Sequence, residues 1–151
     1  MNVKIFDQES APREPKGFAP ELYIPNGVSD VSFYEKAFGA VELRRFGNDD
    51  GTIHVSEFMI GDAMFHLHEQ TQHSGGLSPA GVTTVLIGLF VDDVHAVVAQ
   101  AVAEGAKIAS LVQDYDYGYR QGSIIDPFGH QWQIQKAIAP QPPEGGASES
   151  I

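Results

Sequence analysis

LFVDDVHAVVAQAVAEGA, residues 89–106, carries the pattern on which the fold turns. Val94, Val97, Val98, Ala101 and Val102 recur at the spacing that gathers apolar side chains on one face of an α-helix. Asp92 or Asp93 offers a carboxylate to the unpaired N–H groups of the first turn, and Gly105 stands where a left-handed C-terminal residue belongs. The apolar run leading into this helix, Val85 to Val91, reads as a short strand. It is seven residues long and contains Gly88, far short of the roughly 20 residues that cross a bilayer.

The same order occurs earlier. LYIPNGVSDVSFYEKAFGA, residues 22–40, reads as a strand, a turn, a helix capped by Asn26 or Ser29 and presenting Val28, Val31, Tyr34 and Phe38, and a Gly-Ala exit. Three strand-like runs follow each helix. In the first half they are 41–46, 52–60 and 63–69, and in the second 107–113, the stretch around Ser123–Ile125, and 130–136. Ile24 and Val91 lie 67 residues apart, and so do His66 and Gln133 in the two closing strands. One constant offset at both ends of the unit indicates an internal duplication of a βαβββ module. The expected organisation is a mobile N-terminal extension (1–17), a first module (18–70), a linker (71–81), a second module (82–136) and a mobile C-terminal tail (137–151).

Composition narrows the function. A net charge of −11 over 151 residues argues against a phosphate-binding, nucleic-acid-recognising surface, and any charged ligand is expected to be a cation. The absence of cysteine excludes disulfides, thiolate metal sites and cysteine nucleophiles. A hydrophobic fraction of 42% suffices for a real core. With no apolar stretch of signal-peptide or membrane length, the expected setting is cytoplasmic, with no membrane or nucleic-acid partner.

SFYEKAFGA (32–40), FVDDVHAVVAQAVAEGAKI (90–108) and DPFGHQWQI (126–134) together resemble the vicinal oxygen chelate superfamily, which includes glyoxalase I, bleomycin-resistance proteins and extradiol dioxygenases. Within it, DYGYRQGSIIDPFGHQWQIQK (116–136) is most similar to the PhnB-like branch. The resemblance implies an α+β fold of two βαβββ modules whose curled sheets surround a small-molecule pocket, and a homodimer. It also implies four metal-ligand positions, which fall here on Ala19, His66, Leu86 and Gln133. Ala19 and Leu86 have no donor atom, so no metal cofactor is required. A divalent ion (Zn, Ni, Fe or Mn) held by His66, His68 and Gln133 is the alternative.

Alternation along the strands selects the remaining candidates. Met64, His66 and His68 share one side of their strand, with Phe65 and Leu67 on the other. Two imidazoles at i, i+2 can bind a ligand or a metal, and His66 suits a general base at neutral pH. Gln131, Gln133 and Gln135 alternate with Trp132 and Ile134. Gln133, central in its strand, is the expected ligand-binding amide and sits opposite His66 in this reading, whereas Gln135 is expected to be solvated. Glu21 and Tyr23 share a side of the first strand and join the ligand-binding set. Tyr117 and Arg120, in a loop with Tyr115 and Tyr119, are expected to form a pocket wall. His54 and Ser56 face one way and Glu57 the other, so no His54–Glu57 dyad is expected. Two functions follow: a small-molecule binding protein lacking the family's full metal site, or a lyase or dioxygenase-type enzyme using His66 as metal ligand or general base.

Overall fold

Alternating apolar side chains and two glycine-terminated helices build two mixed sheets, each with one helix on its apolar face. The computed structural model describes the backbone of Ile5–Asp7, Pro15 and residues 17–140. These residues form two compact units dividing between Val82 and Thr83. The first unit contains β1 (Ile5–Asp7), β2 (Glu21–Ile24), α1 (Phe33–Phe38), β3 (Val41–Gly47), β4 (Ile53–Ile60) and β5 (Ala63–Glu69). The second contains β6 (Leu86–Phe90), α2 (Val94–Ala103), β7 (Lys107–Tyr115), β8 (Tyr119–Ile125) and β9 (Gln131–Ala137). The strand orders are β1-β3-β4-β5-β2 and β6-β9-β8-β7. In both units the opening strand lies parallel to the closing one, β2 on β5 and β6 on β9, and the other pairings are antiparallel. The βαβββ duplication is therefore present in the fold.

The core of the first unit follows from alternation. Leu22 and Ile24 of β2, Phe58 of β4, and Phe65 and Leu67 of β5 are buried with Phe33, Tyr34 and Ala37 of α1. Phe58 and Phe65 stack at 5.2 Å, and Tyr34 meets the Phe65 ring edge-on at 5.2 Å. In the second unit Val94, Val98 and Ala101 of α2 are buried with Ile124, Trp132 and Ile134 of the sheet. Asp93 caps α2 by accepting from the Ala96 N–H, and Gly105 takes the left-handed conformation (φ 111°) that ends it. Asp126 ties the DPFG turn to the core. One carboxylate oxygen accepts from the N–H groups of Phe128 and His130, and the other from the Trp132 indole N–H at 3.0 Å.

Three expectations are corrected. The first helix spans only Phe33–Phe38, because the Asp30 carboxylate accepts from the Ser32 N–H and Oγ and holds the preceding residues in a turn; Val31 is buried from there. Ile5–Asp7, within the stretch read as an N-terminal extension, pair antiparallel with Phe46–Arg44 as an edge strand. Ala137 belongs to β9, and the Ile138 N–H donates to the Gly118 carbonyl, so hydrogen-bonded backbone continues beyond residue 136. The stretch 141–151, most of the expected tail, lies outside the described residues. Among the described residues no helix is long and apolar enough to cross a membrane.

Neighbouring residues on opposite faces of β5 separate core from site. Phe65→Ala lowers stability by about 3–5 kcal/mol, whereas His66→Ala costs at most about 1 kcal/mol, measured by urea unfolding.

Candidate functional site

The parallel pairing of β2 with β5 sets Glu21 beside His66 and Tyr23 beside His68, on the face opposite the α1-packed residues. The two imidazoles lie 5.7 Å apart, ring centre to ring centre. One Glu21 carboxylate oxygen is 3.5 Å from His66 Nδ1 and 3.2 Å from His68 Nε2. His68 Nε2 is buried, and its short contact with that carboxylate is an ion-pair contact rather than a hydrogen bond. Burial holds the His68 pKa below the usual imidazole value, partly offset by the negative charge of Glu21 and reinforced by His66. The Tyr23 ring is 5.9 Å from His68 and lies against the backbone of Gly76, where an added Cβ would fall 2.2 Å from the ring. Only glycine permits this contact.

Glu57 and Arg44 complete the face, and neither was among the sequence candidates. Glu57 lies across from His66 on one side and Arg44 on the other. Arg44 binds it through two parallel hydrogen bonds, Nε at 2.8 Å and Nη2 at 3.0 Å. His66 Nε2 is 3.7 Å from Glu57 Oε2 and 3.2 Å from the sulfur of Met64. A signal for Glu57 was present: the tight turn at Gly61-Asp62 pairs Ile60 with Ala63, and that register sets Glu57 against His66. As expected, Glu57 does not pair with His54. His54 Nδ1 instead lies 2.9 Å from Glu69, which also accepts from Asn26 and Asn48.

A cleft of about 490 Å³ opens over this face, lined by Pro15, Ala19, Glu21, Leu43, Arg44, Glu57, Met64 and His66. It combines two carboxylates, an imidazole and a guanidinium already matched by Glu57. Such a surface can bind a polar or cationic molecule, and His66 can exchange a proton with it.

In the second unit Gln133 occupies the register position equivalent to His66, beside Gly88 rather than a carboxylate. It belongs to an amide network. The Tyr117 hydroxyl donates to Gln121 Oε1 (2.6 Å), while Gln121 and Gln133 both donate to Gln135 Oε1 (2.8 and 3.1 Å). Gln135, expected to be solvated, is buried at the centre of this network, its amide 2.6 Å from where a Gly88 Cβ would stand. Tyr117 stacks on Tyr115 at 5.3 Å in the β7–β8 hairpin. Arg120 lies on β8 rather than in a loop. It binds Asp114 through two hydrogen bonds, at 2.7 and 3.1 Å, that hold the Asp114 carboxyl below its usual pKa. Glu21, Tyr23, His66 and His68 are thus brought together on one sheet, and Gln133 and Tyr117 on the other, with Arg120 outside the amide network.

Two of the four positions to which the resemblance assigns metal ligands have no donor atom. Ala19 lines the cleft without a donor atom, and Leu86, on the edge strand β6, is likewise aliphatic.

Comparison with known proteins agrees with the architecture. The Glyoxalase/Bleomycin resistance protein/Dioxygenase superfamily matches residues 25–134, and the chain belongs to that superfamily. It is 35% identical over 125 residues to the uncharacterized protein Mb0911c of Mycobacterium bovis, covering 80% of this chain and 82% of that one. Among solved structures it is similar to TioX from Micromonospora sp. ML1, with 26% identity, a TM-score of 0.61, and 81% and 100% of the two chains covered. The fosfomycin resistance protein FosX from Mesorhizobium loti shares the fold, with a TM-score of 0.56 at 16% identity over 83% of this chain and 96% of that chain.

The lowered His68 pKa has a definite pH consequence in chelator-treated protein. Because the folded state resists protonation, stability is highest above the unfolded value of about 6.5 and falls as the pH drops through the lower folded value. His68→Gln removes this component, so its urea midpoint declines less than that of the parent between about pH 7 and pH 5. Parallel pH profiles would contradict the assignment.

Proposed function

We propose that this superfamily member binds a small, polar organic molecule, preferentially a cation, in the cleft over the first sheet and without the family's four-position metal centre. The observation that carries this reading is the cleft itself. Its volume of about 490 Å³ falls within the range of small-molecule sites, and its floor is acidic, with Glu21 opposed among the described residues by histidines alone. The net charge of −11 favours the same class of ligand. The stretch 116–136 supports a place in the PhnB-like branch.

A second reading, a lyase or dioxygenase-type enzyme, has one observation in its favour. Arg44 anchors Glu57 beside His66, and a carboxylate near an imidazole can orient it as a general base. Under that reading His66→Gln retains ligand binding and loses turnover. A homodimer belongs to the same proposal, since β6 and β7 are open sheet edges bearing exposed Phe90, Ile108 and Leu111. Light scattering is then expected to give twice the 16.3 kDa chain mass.

The ligand class is tested by thermal denaturation of tag-free, chelator-treated protein against matched cationic, neutral and anionic compounds. Cationic members raise the midpoint, with a stabilisation of about 2.7 kcal/mol at a hundredfold excess over Kd. Ala19→Phe, which fills the cleft, abolishes the shift. Stronger stabilisation by anions, or a shift unaffected by Ala19→Phe, would overturn the assignment.

A further inference from the structure

We propose that Glu21, His66 and His68 form a mononuclear site for a divalent transition ion of the zinc class, contained within the first unit alone. The ligand reading above concerns the metal-free protein, because an ion bound here takes up the Glu21 carboxylate that makes the cleft acidic. Of the three residues, only His66 stands at a position where the superfamily carries a metal ligand.

Three observations carry the site. One donor atom from each residue lies within 4.8 Å of the other two. The Glu21 oxygen is 3.5 Å from His66 Nδ1 and 3.2 Å from His68 Nε2, close to the separation of about 3.3–3.5 Å between ligands bonded at about 2.0–2.1 Å around a tetrahedral ion. Two imidazole nitrogens and one carboxylate suit zinc, nickel, cobalt or iron(II), whereas calcium and magnesium require mainly oxygen donors.

The second observation is His68 Nε2, buried without a hydrogen bond and with the Glu21 carboxylate 3.2 Å away. Buried polar nitrogens normally have a partner, and an ion between the two groups supplies one.

The third lies behind His66. If Nδ1 faces the ion, Nε2 carries the proton, and Nε2 is the nitrogen turned toward Glu57, 3.7 Å away, and the Met64 sulfur. Arg44 holds Glu57 in place. At 3.7 Å Glu57 is beyond hydrogen-bond length and acts on His66 through its charge, which favours the proton on Nε2 and leaves Nδ1 for the ion. Three protein donors leave a position for water, as in open rather than closed zinc sites.

Titration of the full, tag-free, chelator-stripped chain with Zn²⁺, followed by calorimetry, tests the site. Visible absorption of the Co²⁺-loaded protein reports its ligand geometry. One ion per chain is expected, with a low-coordinate cobalt spectrum. Glu21→Gln, a nearly isosteric change at an exposed side chain, weakens Zn²⁺ binding at least tenfold while the metal-free thermal midpoint stays unchanged. His68→Ala removes the one-to-one event, and Glu57→Gln weakens it at unchanged stoichiometry. His73→Ala and His95→Ala leave it intact. The absence of saturable one-to-one uptake, or uptake indifferent to both Glu21→Gln and His68→Ala, would overturn the proposal. Neither result alters the outcome of the organic-ligand experiment, which is run in chelator.

Discussion

The parallel pairing of β2 with β5 is the constraint on which the candidate site depends. In this register Leu22 lies beside Leu67 and Glu21 beside His66, so one alignment determines both faces of the sheet. With β5 held in place by β4, a slip of β2 by one residue would set Leu22 beside His66 and turn Glu21 and Tyr23 toward α1. A carboxylate would then face the apolar layer that contains the stacked rings of Phe58, Phe65 and Tyr34. The apolar core thus enforces the geometry of a polar cluster it does not touch.

The two units apply the same topology to different chemistry. At equivalent register positions the first carries Glu21 beside His66, the second Gly88 beside Gln133. A carboxylate and imidazoles can bind cations and move protons. Amides linked through Gln135 can orient a ligand by hydrogen bonding but cannot change charge near neutral pH. Gly88 is part of this difference, since any side chain there would displace the Gln135 amide. The titratable chemistry is therefore concentrated in the first unit.

Membership of the superfamily establishes the scaffold and leaves the reaction to the residues on it. Ala19 is informative in this respect. It lines the cleft and offers no donor atom at a position where the resemblance places a metal ligand. Arg44 is equally specific: its two hydrogen bonds to Glu57 neutralise one of the two cleft carboxylates and keep it beside His66. Glu21 remains as the carboxylate with no guanidinium or ammonium partner among the described ion pairs.

Local periodicity in the sequence was sufficient for α2, for a carboxylate cap from Asp92 or Asp93, and for the sides of β2, β5 and β9, because each depends on residues within a turn or two of one another. A constant offset of 67 residues was sufficient for the duplicated modules. The pairing of His54 with Glu69, and of Arg44 with Glu57, depends instead on which strands become neighbours and in what register. Alternation within one strand carries no information about that choice. The same limit explains Gln135, whose position near a strand end suggested solvation, whereas its neighbours on β8 and β9 bury it. It also explains α1, shortened by the Asp30 turn, and Ile5–Asp7, whose partner β3 lies far along the chain. The sequence alone determined which side chains share a face. Only tertiary structure decided which of them meet, because long-range register is set by packing the whole sheet against its helix.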